Sequence, residues 1–289
     1  MTDVISIQSQ VVHGHVGNSA AVFPMQAKGL AVAAVPTALL SNHPHYPTMH
    51  GQILSADLVA GLLQGVEERG LPARARVVLS GFLGSVENGA AVAAFVTRSR
   101  RPGLAYVCDP VMGDDDLGIF VAEGLVALFR DRLVPMADII TPNQYELELL
   151  TDRPARNAAD LAAAAASLRA RGTGAVVVTG CTLDDTPAGM VETILAGDSL
   201  HRTAIPRLPI RPCGTGDIFT ALMVARLCAG RVLADAVAGA THEVLAILRR
   251  TEAAAATAPD GAGEMALAGF DFAAPDDAAT AGAAPHSHL

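Results

Sequence analysis

The segment Leu104-Ala105-Tyr106-Val107-Cys108-Asp109-Pro110 is an apolar run that ends in a carboxylate and a proline. A short continuous apolar run bounded by such residues predicts a buried β-strand. Asp109 therefore lies at the carboxyl end of the strand predicted over residues 104–108. Because ligands of parallel α/β sheets bind outside the carboxyl ends of the strands, this placement makes Asp109 a candidate functional residue.

The same type of run recurs on both sides of this segment and alternates with Ala- and Leu-rich stretches. The other predicted parallel strands are residues 4–12, 30–39, 76–80, 138–141 and 175–179. The predicted helices are residues 56–69, 88–98, 121–133, 158–171, 217–227 and 233–250. This alternation predicts an α/β fold with a mostly parallel central sheet and helices on both faces. Residues 190–196 and 200–205 predict an antiparallel pair, since Gly197-Asp198 separates them like a hairpin turn.

The body of the chain shows no linker and no internal repeat, so residues 1–252 are predicted to form one domain. Residues 253–289 are dominated by Ala, Gly, Pro and Asp. We expect a short edge strand near residues 265–272 and a disordered tail beyond it.

Composition limits the function classes. Hydrophobic residues make up 51% and charged residues 17%, so a sizeable core is available and overall disorder is excluded. The net charge of −9 and the lack of a dense basic stripe argue against nucleic acid or an anionic membrane as the main partner. The N-terminus lacks the features of a secretory signal, and the four cysteines are widely spaced. These features predict reduced thiols in a cytoplasmic protein.

Small and polar residues stand at the predicted carboxyl ends of the strands. They are Ser9, Ser80, Asp109, Thr141, Asn143, Glu146 and Thr179. A carboxylate placed in such a crevice loses solvation unless a cation or a donor meets it, so several converging carboxylates suggest a bound metal ion. Each residue alone also fits ordinary helix capping.

The motif Gly214-Thr215-Gly216-Asp217 directly precedes an apolar helix. Two glycines allow a tight turn whose successive N–H groups point at one place, where the helix dipole adds positive potential. Such a turn suits the charge that develops on a transferring phosphoryl group, and Asp217 would orient a hydroxyl nucleophile. The alternative is a Gly-containing turn in which Asp217 is a simple N-cap.

Other nucleotide and metal signatures are weak. There is no GxxxxGK[ST] sequence, and the third glycine of GxGxxG is replaced by Phe219. His13-Gly14-His15 and His43-Pro44-His45 could place paired imidazoles on one side of an extended segment, as a zinc site requires. Without an HExxH-type spacing or a fixed Cys partner, roles in loops, packing or substrate contact are favoured over zinc.

Several of these stretches together resemble the pyridoxal kinase family of the ribokinase-like kinases, over nearly all of residues 4–250. The resemblance is carried by Ser6-Ile7-Gln8-Ser9, by residues 14–21, by Ser41-Asn42-His43, by residues 108–114, by residues 138–143 and by the Gly214–Asp217 motif. It implies a three-layer α/β/α fold with a few antiparallel edge strands. It also implies ATP-dependent phosphorylation of the hydroxymethyl group of pyridoxal, and of pyridoxine and pyridoxamine in many members.

The resemblance assigns roles residue by residue. Asp217 would be the catalytic base, and the amides of Gly214, Thr215 and Gly216 would form the anion hole. The implied substrate-binding residues are Ser9, His43, Pro44, His45, Phe82 and Asp217. The implied ATP-binding residues are Asp109, Asp114, Thr141, Asn143, Glu146, Thr179, Arg207 and Leu208. The implied Mg²⁺ residues are Asp109, Asp114 and Glu146. A K⁺ ion assists many members, and homodimers are common among them.

The sequence departs from the family pattern around the substrate. Leu40 stands where many relatives have an aromatic residue, Pro44 where they have Thr, and Phe82 where Tyr is common. Three alternatives therefore stay open: a hydroxymethylpyrimidine kinase, a sugar or nucleoside kinase, and a vitamin B6-binding protein with little turnover. The apolar residues 38–40 make the sugar or nucleoside kinase less favoured.

Overall fold

The computed structural model describes residues 2–255 and 264–272. Its strands are β1 (Val4–Val11), β2 (Val32–Leu40), β3 (Gly51–Ile53), β4 (Val77–Ser80), β5 (Ala105–Cys108), β6 (Gly113–Asp114), β7 (Gly118–Ile119), β8 (Ile139–Ile140), β9 (Ala175–Cys181), β10 (Met190–Ala196) and β11 (Leu200–Pro206). Its helices are α1 (Asn18–Ala27), α2 (Ala56–Glu68), α3 (Val86–Ser99), α4 (Leu125–Leu128), α5 (Val134–Met136), α6 (Gln144–Thr151), α7 (Ala158–Arg169), α8 (Thr215–Cys228) and α9 (Leu233–Ala255). A π-helical turn, Phe129–Leu133, joins α4 to α5.

The main sheet has the strand order β11-β10-β9-β8-β5-β4-β1-β2-β3. The central strands β9, β8, β5, β4, β1 and β2 are mutually parallel. The outer strands β3, β10 and β11 pair antiparallel to their neighbours. Strands β6 and β7 form a separate two-stranded ribbon directly after β5. The predicted parallel sheet with a few antiparallel edge strands is therefore confirmed.

The two faces of the sheet bury alternate residues of each central strand. In β1, Ile5 and Ile7 join the core that α2, α3, α6 and α7 cover, whereas Val4 joins the core under α1, α8 and α9. In β5, Tyr106 faces the first core and Val107 the second. Successive residues of each strand face opposite sides of the sheet, and both sides carry apolar residues. Helices cover both sides, which gives the predicted three-layer α/β/α architecture.

The expected edge strand near residues 265–272 does not form. Residues 264–272 contain turns, with Gly269 at a φ of +69°. Met265, Leu267 and Phe272 pack into the core under α1, α8 and α9, and the ring of Phe272 meets Phe23 edge-on at 5.6 Å. The apolar residues therefore cover helices instead of extending the sheet. Lys28, directly after α1, fixes the segment by donating to the carbonyl of Phe272 at 2.8 Å.

The boundary predicted at residue 252 falls within α9, which continues to Ala255. The predicted disorder of the tail concerns residues outside the described part of the chain. Among the described residues, no helix combines the length and the hydropathy needed to cross a membrane.

Candidate active site

The carboxylate of Asp109 lies at the end of β5, and the residue is 5% exposed. Burial raises the pKa of Asp109 well above its ordinary range, and the nearby charges of Glu146 and Asp217 raise it further. The hydroxyls of Thr141 and Thr220 lower this pKa in part. Thr220 donates to Oγ1 of Thr141 at 3.0 Å, which leaves the Thr141 hydroxyl to donate to Asp109. Asp109 is therefore held by a hydroxyl donor in a region that already contains two other carboxylates.

Glu146 lies in the first turn of α6 and is 4% exposed. Its Oε1 accepts from the N–H of Met112 at 2.8 Å, and its Oε2 accepts from the N–H of Asn143 at 2.8 Å. The side chain of Asn143 accepts from the N–H of Glu146 in return, which completes a capping box. Burial nevertheless raises the pKa of Glu146 to about 7, so the backbone donors do not fully replace the lost solvation.

The Gly214–Asp217 motif opens α8, with Gly214 as N-cap in the left-handed region at a φ of +85°. A Cβ atom on Gly214 would lie 1.8 Å from the carbonyl oxygen of His15, so only glycine fits there. A Cβ atom on Gly216 would lie 3.9 Å from Oδ2 of Asp109. The first turn of α8 and the end of β5 thus face each other across a small distance.

Asp217 is half-buried in the first turn of α8. Burial raises the pKa of Asp217 to about 6, although a hydrogen bond from the N–H of Gly17 lowers it in part. Gly17 also packs against the end of β1, because a Cβ atom there would lie 2.5 Å from Oγ of Ser9. The structure therefore brings Ser9, Asp109, Glu146 and Asp217 together at the carboxyl edge of the sheet.

The loop after β2, residues 41–50, carries His43 and His45 and is called the lid loop below. His43 is 6% exposed, and its Nε2 lies 2.6 Å from Oε1 of Glu264. The hydroxyl of Tyr46 donates to the same oxygen at 2.8 Å. Burial alone would raise the pKa of Glu264, but the hydrogen bond from Tyr46 and the proximity of His43 lower it overall.

The sequence-based prediction missed Glu264 and the neighbouring Cys213. Glu264 lies in an Ala- and Gly-rich stretch, where one acidic residue carries no local signal. Cys213 directly precedes the Gly214–Asp217 motif, and its Sγ lies 3.2 Å from Nδ1 of His45. In the sequence this cysteine does not indicate a functional site, because its histidine partner is 168 positions away.

The other predicted site residues have several different environments. Oδ1 of Asp114 accepts from the N–H groups of Asp116 and Leu117, so this oxygen caps the β6–β7 turn. Thr179 forms a bridge with Asn143 beside β9. Arg207 is exposed and donates to the hydroxyl of Thr182. Leu208 and Phe82 are half-buried, and Pro44 is exposed on the lid loop.

The donor set fits a hard divalent cation. Asp109 and Glu146 are buried carboxylates whose pKa values are both raised, which is the state that a bound cation would relieve. Mg²⁺ prefers one or two carboxylates together with water and phosphate oxygens. Asp114 contributes negative charge near Glu146, while one of its oxygens is engaged in the turn.

Comparisons with known proteins agree with this geometry. The family model for phosphomethylpyrimidine kinase matches residues 20–260. The chain is 42% identical over 255 residues to the pyridoxine/pyridoxal/pyridoxamine kinase of Bordetella avium, covering 87% of this chain and 86% of the relative. It is 40% identical over 256 residues to the pyridoxal kinase PdxY of Granulibacter bethesdensis, covering 86% and 90%.

The solved structures agree as well. Pyridoxal kinase from Leishmania donovani, in complex with ADP and pyridoxine, superposes with a TM-score of 0.84 at 30% identity, covering 93% of this chain and 94% of that chain. Pyridoxal kinase from Trypanosoma brucei gives a TM-score of 0.77 at 27% identity, covering 88% and 90%.

The fold and the clustered strand-end carboxylates define a ribokinase-like kinase. The chain belongs to the phosphomethylpyrimidine kinase family, and its relatives place it with the pyridoxal kinases of that family. The resemblance drawn from the sequence motifs is thereby confirmed.

Proposed function

We propose that this protein phosphorylates the hydroxymethyl group of pyridoxal-type vitamins with ATP. The observation that carries the proposal is the position of Asp217 in the first turn of α8, facing the strand-end carboxylate Asp109 beside the turn formed by Gly214–Gly216. The names of the curated relatives support the choice of substrate. The Leishmania donovani enzyme supports it further, since its structures hold ADP with pyridoxine or pyridoxamine.

Asp217 would act on the acceptor hydroxyl. With a pKa of about 6, its carboxylate is ionised at neutral pH and can accept the hydroxyl proton as the new O–P bond forms. Phosphoryl transfer needs little proton removal early in the reaction, so correct placement of this carboxylate matters more than its basicity. A general base is most efficient when its pKa lies near the working pH, and the raised pKa of Asp217 lies closer to neutral pH than that of an ordinary Asp.

The amides of Gly214, Thr215 and Gly216 would stabilise the phosphoryl oxygens. They lie at the N-terminus of α8, a helix of 14 residues, where backbone N–H groups and the helix dipole both favour negative charge. Because these donors are fixed by the turn, they need no reorganisation when charge develops in the transition state. Only glycine at position 214 allows this turn to approach the backbone of His15.

Mg²⁺ would be held by Asp109 and Glu146, with Asp114 at the rim. When bound, the ion neutralises charge on the ATP phosphates. Asn143 positions Glu146 through the capping box, and Thr141 positions Asp109 by a hydrogen bond. The remaining predicted nucleotide contacts are Thr179, Arg207 and Leu208. A K⁺ requirement, a homodimer and a cytoplasmic location stay predictions.

Ser9, His43, Pro44, His45 and Phe82 would contact the vitamin ring. Ser9 lies at the end of β1 beside Gly17, whose N–H donates to Asp217. The ring of a substrate lying there would bring its hydroxymethyl group towards Asp217. The lid loop approaches the Gly214–Asp217 motif through the contact between His45 and Cys213.

The test is ADP formation measured in parallel on pyridoxal, pyridoxine, pyridoxamine and hydroxymethylpyrimidine. We expect turnover on pyridoxal that falls roughly 10²–10⁴-fold in Asp217→Asn, the range for loss of a general base. Asp235→Asn is the matched control, because Asp235 occupies the first turn of the neighbouring helix α9. Turnover on hydroxymethylpyrimidine alone would replace the pyridoxal assignment with the alternative that the family description suggests. Pyridoxal binding without ADP formation would indicate the low-turnover binding protein.

A further inference from the structure

Three side chains with metal-binding atoms meet beside the proposed active site. They are His43, His45 and Cys213, called the His–Cys cluster below, and their ligand atoms all lie within 4.8 Å of one another. Nδ1 of His45 and Sγ of Cys213 lie 3.2 Å apart. In a tetrahedral zinc site, the ligand atoms are roughly 3.3–3.6 Å apart. The cluster therefore needs a closure of only about 1 Å to reach that geometry.

Glu264 already orients His43 as a metal ligand requires. The carboxylate of Glu264 accepts from Nε2 of His43 at 2.6 Å, and Nδ1 of His43 accepts a long hydrogen bond of 3.3 Å from the N–H of His45. Both contacts assign the proton to Nε2 and the lone pair to Nδ1, and a bound metal ion would replace the long hydrogen bond from the N–H of His45. Histidines that bind metals commonly donate their other ring N–H to a carboxylate, which fixes tautomer and ring orientation.

The charges around Cys213 favour a cation. Glu264, Asp217 and Asp114 all act on the Cys213 sulfur with negative potential. The lid-loop ligand His45 is exposed, so a metal ion from solvent can reach the cluster, whereas His43 is buried. A half-buried sulfur with one exposed and one buried imidazole partner is thus surrounded by a field that attracts a divalent ion.

We propose that the His–Cys cluster binds one Zn²⁺-class ion through Nδ1 of His43, Nδ1 of His45 and Sγ of Cys213, with a fourth position open. Two imidazoles and one thiolate suit zinc, cobalt or copper and disfavour Mg²⁺ and Ca²⁺, which take oxygen ligands. On binding, the S–H bond of Cys213 breaks, the sulfur–metal bond forms, and the proton leaves to solvent.

The site would connect the lid loop to the turn before α8. His43 and His45 lie on the lid loop, and Cys213 is the residue before the Gly214–Asp217 turn. A metal ion would therefore tie the lid loop to the turn. The same histidines are proposed substrate contacts, so the metal would compete with the vitamin. This part of the inference rests on the proposed function. Zinc would then raise the Michaelis constant for pyridoxal and leave ATP binding unchanged.

The test is Co²⁺ titration of the full chain without a purification tag, followed by absorption spectroscopy. We expect one Co²⁺ per chain, with tetrahedral d–d bands and a thiolate charge-transfer band, and displacement of Co²⁺ by Zn²⁺. Cys213→Ser and Cys213→Ala should abolish the thiolate band and weaken binding by more than the ~10–100-fold expected for loss of an outer partner. Glu264→Gln should weaken binding within that range.

Cys228→Ser is the matched control, since Cys228 is also a half-buried free cysteine but lies at the end of α8, outside the cluster. It should bind Co²⁺ like the natural chain. Thermal unfolding verifies that each variant is folded. The proposal is overturned if Co²⁺ binds without a thiolate band, if both Cys213 variants keep natural affinity, or if Cys228→Ser loses the band. These outcomes are read without substrate, so they are independent of whether the protein phosphorylates pyridoxal.

Discussion

The carboxylate of Glu264 lies 2.6 Å from Nε2 of His43, although the two residues are 221 positions apart. Glu264 also accepts from Tyr46, so one acidic side chain holds two residues of the lid loop. The segment that carries Glu264 is fixed by the burial of Met265 and Leu267 beneath α8 and α9. The lid loop is therefore anchored to the helical layer formed by α1, α8 and α9.

Replacing Glu264 by Gln should loosen the lid loop without altering the Gly214–Asp217 turn. The charge-assisted contact with His43 would become a neutral one, at a cost of about 1 kcal/mol, or roughly fivefold in affinity. Steady-state kinetics should show a higher Michaelis constant for pyridoxal with nearly unchanged kcat and an unchanged constant for ATP. Glu252→Gln, the same change on α9, is the control. A lower kcat with an unchanged Michaelis constant would show that Glu264 acts on the chemical step instead.

Replacing Asp217 by Asn should inactivate the enzyme and stabilise its fold at neutral pH. The pKa of Asp217 is about 6 in the folded chain against 3.8 for an unperturbed Asp, so the folded state binds its proton more tightly. Stability therefore falls as the pH rises from about 4 to 6, and the full penalty remains above that window. Asn carries no charge and removes the penalty, a gain of about 1–3 kcal/mol. Thermal unfolding without Mg²⁺ at pH 7.5 and below pH 4 measures the difference, which should vanish at the lower pH.

Two glycine substitutions should separate folding from catalysis at the turn before α8. Gly214→Ala places a Cβ atom 1.8 Å from the carbonyl of His15 at a positive φ, so we expect a large loss of stability. Gly216→Ala meets no atom closer than Oδ2 of Asp109 at 3.9 Å, and alanine is a good helix former. This variant should keep or gain stability and lose turnover, because its methyl group enters the space proposed for the phosphoryl oxygens. Equal turnover of Gly216→Ala and the natural chain would place the phosphoryl group elsewhere.

Replacing Pro44 by Thr should improve the use of pyridoxal. Pro44 is exposed on the lid loop between His43 and His45, where the family pattern has a threonine. A new hydroxyl contact is worth about 1 kcal/mol, so the Michaelis constant should fall roughly fivefold. Pro47→Thr, on another exposed proline of the same loop, controls for a general change in loop flexibility. An unchanged constant for Pro44→Thr would show that another contact already serves this part of the substrate.

The parallel strands and the turn before α8 could be predicted because their signals are local. Apolar runs such as residues 104–108 and 175–179 are long enough to indicate strands, and two glycines before an apolar helix indicate a tight turn, whose anion-binding role stays a prediction. Helix α1 was missed because Pro24 lies inside it, and proline ordinarily indicates a helix boundary. Helix α6 was missed because it spans only Gln144–Thr151.

The contacts of the lid loop could not be predicted from the sequence. The pairings of His43 with Glu264 and of His45 with Cys213 join residues 221 and 168 positions apart. No spacing rule connects such residues, and the tertiary packing of residues 264–272 decides where the carboxylate lies. The same packing explains why the expected edge strand is absent: the apolar residues of this segment are used to cover α8 and α9.

The late position of Glu264 in the chain has a consequence during biosynthesis. On the ribosome, the nine strands of the main sheet found among the described residues, and the Gly214–Asp217 turn, are complete before residue 264 has been translated. A nascent chain can therefore assemble its sheet and helices while His43 still lacks its carboxylate partner. The lid loop acquires its anchor only when the following segment has been synthesised and has docked on α8 and α9.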